Sequence, residues 1–188
     1  MAALIAAAGA PDYPAEVVGV LSNRADAEGL AIAAAKGIAT ASLAQSKFPS
    51  RDMFEDVLTQ VLESWDAELV CLAGFMRVLG AEFVARWEGR LINIHPSLLP
   101  LYKGLDTHAR AVADRATVHG CTVHFVTPGL DEGPAILQAE VPVLPEDTPE
   151  SLAARVLVEE HRLYPKAVRL LASGEWGPLG NLTPARLQ

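Results

Sequence analysis

The alternation of apolar runs with amphipathic segments along the chain predicts strands interleaved with helices. Short apolar runs rich in Val, Ile and Leu predict strands at 16–21, 38–43, 68–73, 91–95, 121–126 and 136–143. Helical spacing predicts helices at 1–8, 25–36, from 51 onward, before 87, at about 107–114 and from 149 to 174. This order favours an α/β fold that is Rossmann-like, with a mostly parallel sheet and helices on both faces.

Several residues predict where these elements begin and end. Ser50 is expected to cap the helix whose apolar face comprises Phe54, Val57, Leu58, Val61 and Leu62. Thr148 and Pro149 are expected to open the last helix. Pro165 is expected to kink or restart that helix, since it has no amide hydrogen. The tail after Trp176 has no period and is predicted to be coil.

The stretch 91–100 carries the first candidate chemistry. Pro96 ends a buried strand there, and Asn93 and His95, two residues apart, share one face at its carboxyl end. Open parallel sheets hold their ligands at that end. An amide donor beside a titratable imidazole suits an oxyanion that forms during a reaction. The alternative is that His95 is a hydrogen-bonded structural histidine at a strand corner.

A second group of polar residues follows in the chain. Asp131 lies in a loop bracketed by Gly and Pro, where a carboxylate near His95 would favour the charged imidazolium. Thr122 and His124 share one face of an apolar strand, which indicates a lined pocket. The alternatives are that Asp131 only forms a turn and that His124 is a packed strand histidine.

A metal site is the competing interpretation of these polar residues. The chain lacks a thiol pair and the helical His spacing of metal motifs, so we expect no metal. Arg51 and Arg77 could each bind a carboxylate, although a solvated arginine is the ordinary case. The set that could be imagined as ligands is His95, His108, His119, Cys121, His124 and Asp131.

Composition narrows the class of partner. A net charge of −8 over 188 residues, without clusters of Lys or Arg, argues against nucleic acid and anionic membranes as partners. A hydrophobic content of 51% is typical of a globular chain. Cys71 and Cys121 lie in separate apolar runs and are expected to be reduced. The Ala-rich start lacks the basic residues of a secretory leader, so we expect a cytoplasmic protein.

Five motifs in the chain stand out. They are L-A-G-F-M-R-V-L at 72–79, N-I-H-P-S-L-L-P at 93–100, G-L-D-T-H at 104–108, H-G-C-T-V-H-F-V at 119–126 and L-D-E-G-P at 130–134. In this order they resemble the folate-dependent phosphoribosylglycinamide formyltransferase family, also called glycinamide ribonucleotide transformylases. N-x-H-P-S-L-L-P followed by L-D-x-G-P is specific to folate-dependent formyl transfer and hydrolysis. All five motifs together favour the phosphoribosylglycinamide formyltransferases of purine biosynthesis.

The resemblance implies an activity and roles for three catalytic residues. The amine of phosphoribosylglycinamide would attack the formyl carbon of 10-formyltetrahydrofolate, the cosubstrate, without a metal. Asn93 would donate a hydrogen bond to the oxyanion, and His95 would stabilise it and move a proton. Asp131 would keep His95 charged and help to position water.

The resemblance also implies binding residues. The predicted ribonucleotide residues are Glu160, Thr122 and His124. The predicted folate residues are Arg51, Met76, Arg77, Val78, Leu79, Asn93, Thr127, Pro128, Gly129, Leu130 and Asp131. The expected partners are these small molecules, with the chain a monomer or a homodimer.

The beginning of the chain departs from the family pattern. The resemblance implies a first strand and a glycine-containing phosphate loop before the first helix. Residues 1–5 already have a helical composition, so we expect one formyltransferase domain, 1–188, that is N-terminally truncated relative to the family. Two other functions remain open: formyltetrahydrofolate hydrolase, and a folate-binding remnant without turnover.

Overall fold

A computed structural model describes residues 1–176 of the chain. The predicted coil after Trp176 lies outside the described residues. The helices are α1 (Ala2–Ala8), α2 (Glu28–Ala34), α3 (Arg51–Ser64), α4 (Ala81–Arg86), α5 (Thr107–Ala113) and α6 (Pro149–Ala172). The strands are β1 (Gly19–Ser22), β2 (Ala39–Ser42), β3 (Val70–Leu72), β4 (Leu91–His95), β5 (Val118–Phe125) and β6 (Ala135–Pro142).

The described strands form two sheets. β1 and β2 pair in parallel as a two-stranded sheet, and the other four strands form a sheet in the order β3-β4-β5-β6. β3 and β4 are parallel, as predicted, whereas β5 runs antiparallel to both β4 and β6. The expected α/β fold with helices is confirmed, but its C-terminal half is antiparallel. A hairpin loop joins β5 to β6, and β5 also runs antiparallel to β4.

Helix α6 anchors the four-stranded sheet. It packs on β5 and β6, and Leu152, Val156 and Ala167 are fully buried in that core. The Tyr164 hydroxyl lies 2.9 Å from the Leu72 carbonyl and 3.1 Å from the Ile92 carbonyl, so one donor bridges the adjacent strands β3 and β4. Burial raises the pKa of Tyr164, which keeps this donor protonated. The bridge holds the strand end that carries the candidate chemistry.

The predicted helix boundaries are confirmed at two N-termini. The Ser50 hydroxyl accepts a hydrogen bond from the Met53 amide at 3.2 Å, and Thr148 forms a capping box before Pro149. Pro165, however, does not restart α6, which is continuous through Ala172. Buried side chains on both sides of Pro165, including Tyr164 and Ala167, hold the helix by tertiary packing.

The buried face of α3 differs in part from the predicted one. Phe54 and Leu58 are buried, but so are Glu55 and Thr59, which have 6% and 7% of their surface exposed. The Glu55 carboxylate accepts a hydrogen bond from the Gly80 amide at 2.8 Å. A polar group can be buried when it is paired in this way, so Glu55 ties α3 to the start of α4.

Two other findings concern the helices and cysteines of the described residues. None of the helices within 1–176 is both long enough and apolar enough to cross a bilayer. Cys71 and Cys121 are free thiols, and burial raises the pKa of each to about 12. Neither is a reactive thiolate near neutral pH.

Two histidine rings pack together behind the end of β4. The ring centroids of His108 and His119 are 5.2 Å apart in an edge-to-face arrangement, and Tyr102 packs on the other side of His119 at 5.6 Å. His119 is 1% exposed, and neither of its ring nitrogens has a hydrogen-bond partner among the described residues. Burial lowers the pKa of His119 to about 4. This histidine therefore packs as a neutral ring.

We predict that His119 makes the stability of the fold depend on pH. Its pKa lies below the ordinary 6.5, so as the pH falls the unfolded chain takes up the proton first. Stability that is present above pH 6.5 is therefore lost progressively towards pH 4. Denaturant unfolding of wild type and of His119→Phe, which keeps an aromatic ring, should differ in this loss by up to about 3 kcal/mol. Equal pH dependence in both proteins would show that His119 does not titrate in this way.

Candidate active site

The register between β4 and β5 places four polar residues opposite one another. Asn93 pairs with His124, and His95 pairs with Thr122. Alternate residues of a strand share a face, so the side chains at each pair lie on the same side of the sheet. His95, Thr122 and His124 are buried, with 5%, 0% and 2% exposed, whereas Asn93 is half-buried. The predicted pairing of Asn93 with His95 on one face is therefore observed.

Both ring nitrogens of His95 face hydrogen-bond acceptors. Nε2 donates to the main-chain carbonyl of Tyr102 at 3.0 Å, and Nδ1 lies 3.4 Å from Oδ2 of Asp131. An imidazolium can donate to both groups, whereas a neutral ring can donate to only one. The surroundings of His95 therefore offer an acceptor to each ring nitrogen, with the carboxylate on the side of Nδ1.

The backbone of the loop between β5 and β6 places Asp131 opposite His95. Asp131 adopts the left-handed conformation with φ 52°, and its Oδ2 accepts a hydrogen bond from the Gly104 amide at 2.9 Å. Gly133 lies directly against the Phe125 carbonyl, with no room there for a Cβ atom. Because Gly133 has no side chain, the backbone can approach Phe125 closely, and Asp131 is held nearby at a side-chain exposure of 10%.

His124 fixes the orientation of the Asn93 amide. Burial lowers the pKa of His124, so its ring is neutral near pH 7. Its Nδ1 donates to the Phe125 carbonyl at 2.9 Å, which leaves Nε2 as an acceptor for the Asn93 Nδ2, 3.3 Å away. The 3.7 Å approach of His124 to Asp131 is then not an ion pair. One N–H of Asn93 is used by His124, and the other is left to donate to a reacting oxygen.

Thr122 holds the loop after β4 rather than lining the surface. Its hydroxyl donates to the Ser97 carbonyl at 2.7 Å and accepts from the Leu99 amide at 3.0 Å. The Gln138 side chain also donates to this hydroxyl at 2.9 Å. Thr122 is fully buried, and its predicted contact with a ribonucleotide stays a prediction. Its bonds to Ser97 and Leu99 fix the loop that carries the Tyr102 carbonyl.

Exposed apolar side chains surround the polar cluster. Leu72 at the end of β3 pairs with Asn93, so the following loop leaves the sheet beside that residue. Met76 and Val78 in this loop are 74% and 73% exposed. On the opposite side Leu105 and Leu130, 67% and 60% exposed, flank the loops that hold Asp131. An apolar rim around buried polar groups is typical of a site for a flat organic ligand.

The structure does not join two predicted binding residues to this cluster. Arg51 begins α3, where its guanidinium is half-exposed and lies 3.8 Å from the Glu55 carboxylate. Glu160 is half-buried on α6, and burial raises the pKa of its carboxyl. Across residues 1–176 no ion pair or hydrogen bond links either one to His95 or Asp131. Their predicted roles remain predictions.

Sequence reasoning missed the groups that hold the site in place. The Tyr102 carbonyl and the Gly104 amide belong to the main chain, so the residue type at these positions does not predict their role. Lys103 adds an ion pair to Glu132 at 3.0 Å across the same two loops. The Pro and Gly residues at 96–104 predict a tightly turned loop, but not the groups that the loop contacts.

Within the described part of the chain, no group of three or more His, Cys, Asp or Glu side chains is arranged to hold a metal.

Comparison with known proteins assigns the chain to a family. A family profile described as formyl transferase matches residues 1–168. The phosphoribosylglycinamide formyltransferase of Escherichia coli K12 is 48% identical over 155 residues, which are 82% of this chain and 73% of that protein. The trifunctional purine biosynthetic protein adenosine-3 of Drosophila pseudoobscura pseudoobscura is 48% identical over 160 residues. Those residues are 85% of this chain, but the chain spans only 12% of that relative.

A solved structure has the same fold. The glycinamide ribonucleotide transformylase 1 of Symbiobacterium toebii superposes with a TM-score of 0.91 at 44% identity, covering 95% of this chain and 84% of that one. Fold, profile and identity agree along most of the chain. The chain therefore belongs to the formyl transferase family.

Proposed function

We propose that the chain transfers the formyl group of 10-formyltetrahydrofolate to the amine of phosphoribosylglycinamide. The observation that carries this proposal is the convergence of Asn93, His95 and Asp131 beneath an apolar rim. Family membership and the names of the relatives support the substrate class. The Escherichia coli protein is named for formyl transfer to phosphoribosylglycinamide, and this chain aligns with 73% of its length.

The geometry supports a direct transfer. The amine nitrogen of the ribonucleotide attacks the formyl carbon, a C–N bond forms and the carbonyl oxygen becomes an oxyanion. The free N–H of Asn93 and the Nδ1–H of His95 stabilise that oxygen. The nucleophilic nitrogen loses a proton and N10 of the folate gains one, with His95 as the carrier. The C–N10 bond then breaks, which releases tetrahydrofolate and the formylated amine.

We propose that two exposed loops bind the folate. Met76, Arg77, Val78 and Leu79 follow β3 beside Asn93, and the loop 127–131 lies on the other side of the cluster. Their apolar side chains would cover a pterin ring, and their main-chain groups would hydrogen-bond its edge. Arg51 would bind a carboxylate of the folate tail. Glu160 and His124 are assigned to the ribonucleotide side.

A turnover assay tests the proposed reaction. 10-Formyltetrahydrofolate is incubated with the chain in the presence and in the absence of phosphoribosylglycinamide. We expect consumption only when the ribonucleotide is present, with a formylated ribonucleotide as the product. Equal consumption without ribonucleotide would indicate hydrolysis, and binding without consumption would indicate a folate-binding remnant. Either of those results would contradict the proposed transfer.

We predict that His95→Ala and Asp131→Asn each reduce kcat by about 10²- to 10⁴-fold, because each removes part of the proton carrier or its partner. The matched controls are His161→Ala and Asp56→Asn, which alter exposed residues on α6 and α3. The far-ultraviolet circular dichroism of all four variants should match wild type. Unchanged turnover in His95→Ala or Asp131→Asn would contradict the assigned roles.

We predict that Thr122→Val lowers kcat about tenfold while the KM for the folate changes little. Valine has a similar shape but leaves the Ser97 carbonyl and the Leu99 amide unpaired, so the loop that presents the Tyr102 carbonyl to His95 loosens. Thr122→Ser keeps the hydroxyl and should retain most of the rate. A purely structural role would instead lower the unfolding midpoint of Thr122→Val with kcat per folded protein unchanged.

A further inference from the structure

Arg110 on α5 holds the main chain of the loop that precedes its own helix. Its Nη1 donates to the Lys103 carbonyl at 2.7 Å and to the Leu105 carbonyl at 3.4 Å. Its guanidinium also lies over the Tyr102 ring, 5.4 Å from the ring centre. Among residues 1–176 it forms no ion pair with a carboxylate. The carbonyls and the ring of this loop are therefore the partners of the Arg110 cation.

The direction of the Arg110 side chain is unusual for its place in the helix. A cation in the last turn of a helix ordinarily interacts with the carbonyls at the C-terminus of that helix. Arg110 reaches back beyond the N-terminus of α5 instead, to a carbonyl seven residues earlier in the chain. The next residue, Ala111, is fully buried, and α5 packs on α6. The guanidinium is thus attached to a rigid element while it holds a loop.

The peptide group between Lys103 and Gly104 lies between a guanidinium and a carboxylate. Its carbonyl accepts from Arg110, and its N–H donates to Oδ2 of Asp131 at 2.9 Å. The two groups of a trans peptide point in opposite directions, so the two side chains lie on opposite sides of it. A charged donor at the carbonyl polarises the peptide and makes its N–H a stronger donor. Arg110 therefore strengthens the hydrogen bond that holds Asp131.

The same loop contacts His95 on both sides of the imidazole. The Tyr102 carbonyl accepts from Nε2 of His95 at 3.0 Å, and Oδ2 of Asp131 lies 3.4 Å from Nδ1. Tyr102 has φ 52° and Asp106 has φ 56°, a conformation that is uncommon outside glycine. Such residues persist where their surroundings fix them. Loosening this loop would therefore displace both acceptors of His95.

We propose that Arg110 is a positioning residue, which acts on His95 and Asp131 through the main chain of residues 102–104. Within the described residues, no hydrogen bond or ion pair links Arg110 directly to either side chain. Its effect on the rate rests on the proposed function, formyl transfer. Its effect on the Gly104 amide does not, because that amide is bound to Asp131 in the free chain.

Steady-state kinetics of three variants tests the effect on the rate. Arg110→Met keeps the apolar stem but removes the donors, and we expect kcat to fall about tenfold. The KM values for the folate and for the ribonucleotide should stay within about threefold, because no predicted binding residue is altered. Arg110→Lys restores a cationic donor and should recover most of the rate. The control Arg115→Met removes an exposed arginine just after α5 and should match wild type.

The nuclear magnetic resonance signal of the Gly104 amide tests whether the effect passes through the peptide. A strong hydrogen bond to a carboxylate moves an amide proton downfield. In the free chain, we expect Arg110→Met to move this proton upfield, towards its position in Asp131→Asn. Arg110→Lys should keep it close to the wild-type position, and Arg115→Met should leave it unchanged. If the chain does not transfer formyl groups, the proposed function fails, while this signal still decides whether Arg110 acts on the peptide.

Three results would overturn the proposal. An unchanged kcat in Arg110→Met, with or without a shift of the Gly104 proton, would show that Arg110 does not position the site. A lower kcat with an unchanged Gly104 proton would mean that the effect does not pass through this peptide. A lower unfolding midpoint with kcat per folded protein unchanged would assign Arg110 to stability alone. If Arg110→Met does not fold, Arg110→Gln, whose side chain stays polar, replaces it under the same criteria.

Discussion

The interaction on which the site depends is the attachment of the Asp131 carboxylate to the Gly104 amide. This hydrogen bond joins the loop after β4 to the loop after β5, and Lys103 and Glu132 reinforce it from the surface. The same carboxylate also faces Nδ1 of His95. The contact that fixes the two loops therefore also fixes the Asp131 carboxylate against the imidazole. Loops positioned in this way by a rigid sheet are the usual carriers of chemistry.

Much of this arrangement could be predicted from the chain. A strand that ends in Asn93-Ile94-His95-Pro96 must present its two polar side chains on one face, and the Gly/Pro pattern around Asp131 requires a tight loop. The motifs then indicated the family, which the comparisons confirm. Periodicity also placed most helices and strands within a few residues, because tertiary packing follows the apolar faces of these elements.

The remaining features depend on contacts between distant parts of the chain. Nothing in the sequence marks the Tyr102 carbonyl as the acceptor for His95, since every residue has a carbonyl. Thr122 has the sequence context of a pocket residue, but its bonds to the Ser97 carbonyl and the Leu99 amide could not be predicted from that context. Glu55 lies buried because the Gly80 amide is present 25 positions later.

The most direct test of the account is a crystal structure of the chain with an unreactive folate analogue that carries a carbonyl in place of the formyl group. We expect its carbonyl oxygen to lie about 3 Å from both Asn93 Nδ2 and His95 Nδ1, the distance at which donors stabilise an oxyanion. The pterin should lie between the loop at 76–79 and the loop at 127–131. An analogue bound elsewhere, with its carbonyl remote from Asn93 and His95, would contradict the assignment of this cluster as the site of formyl transfer.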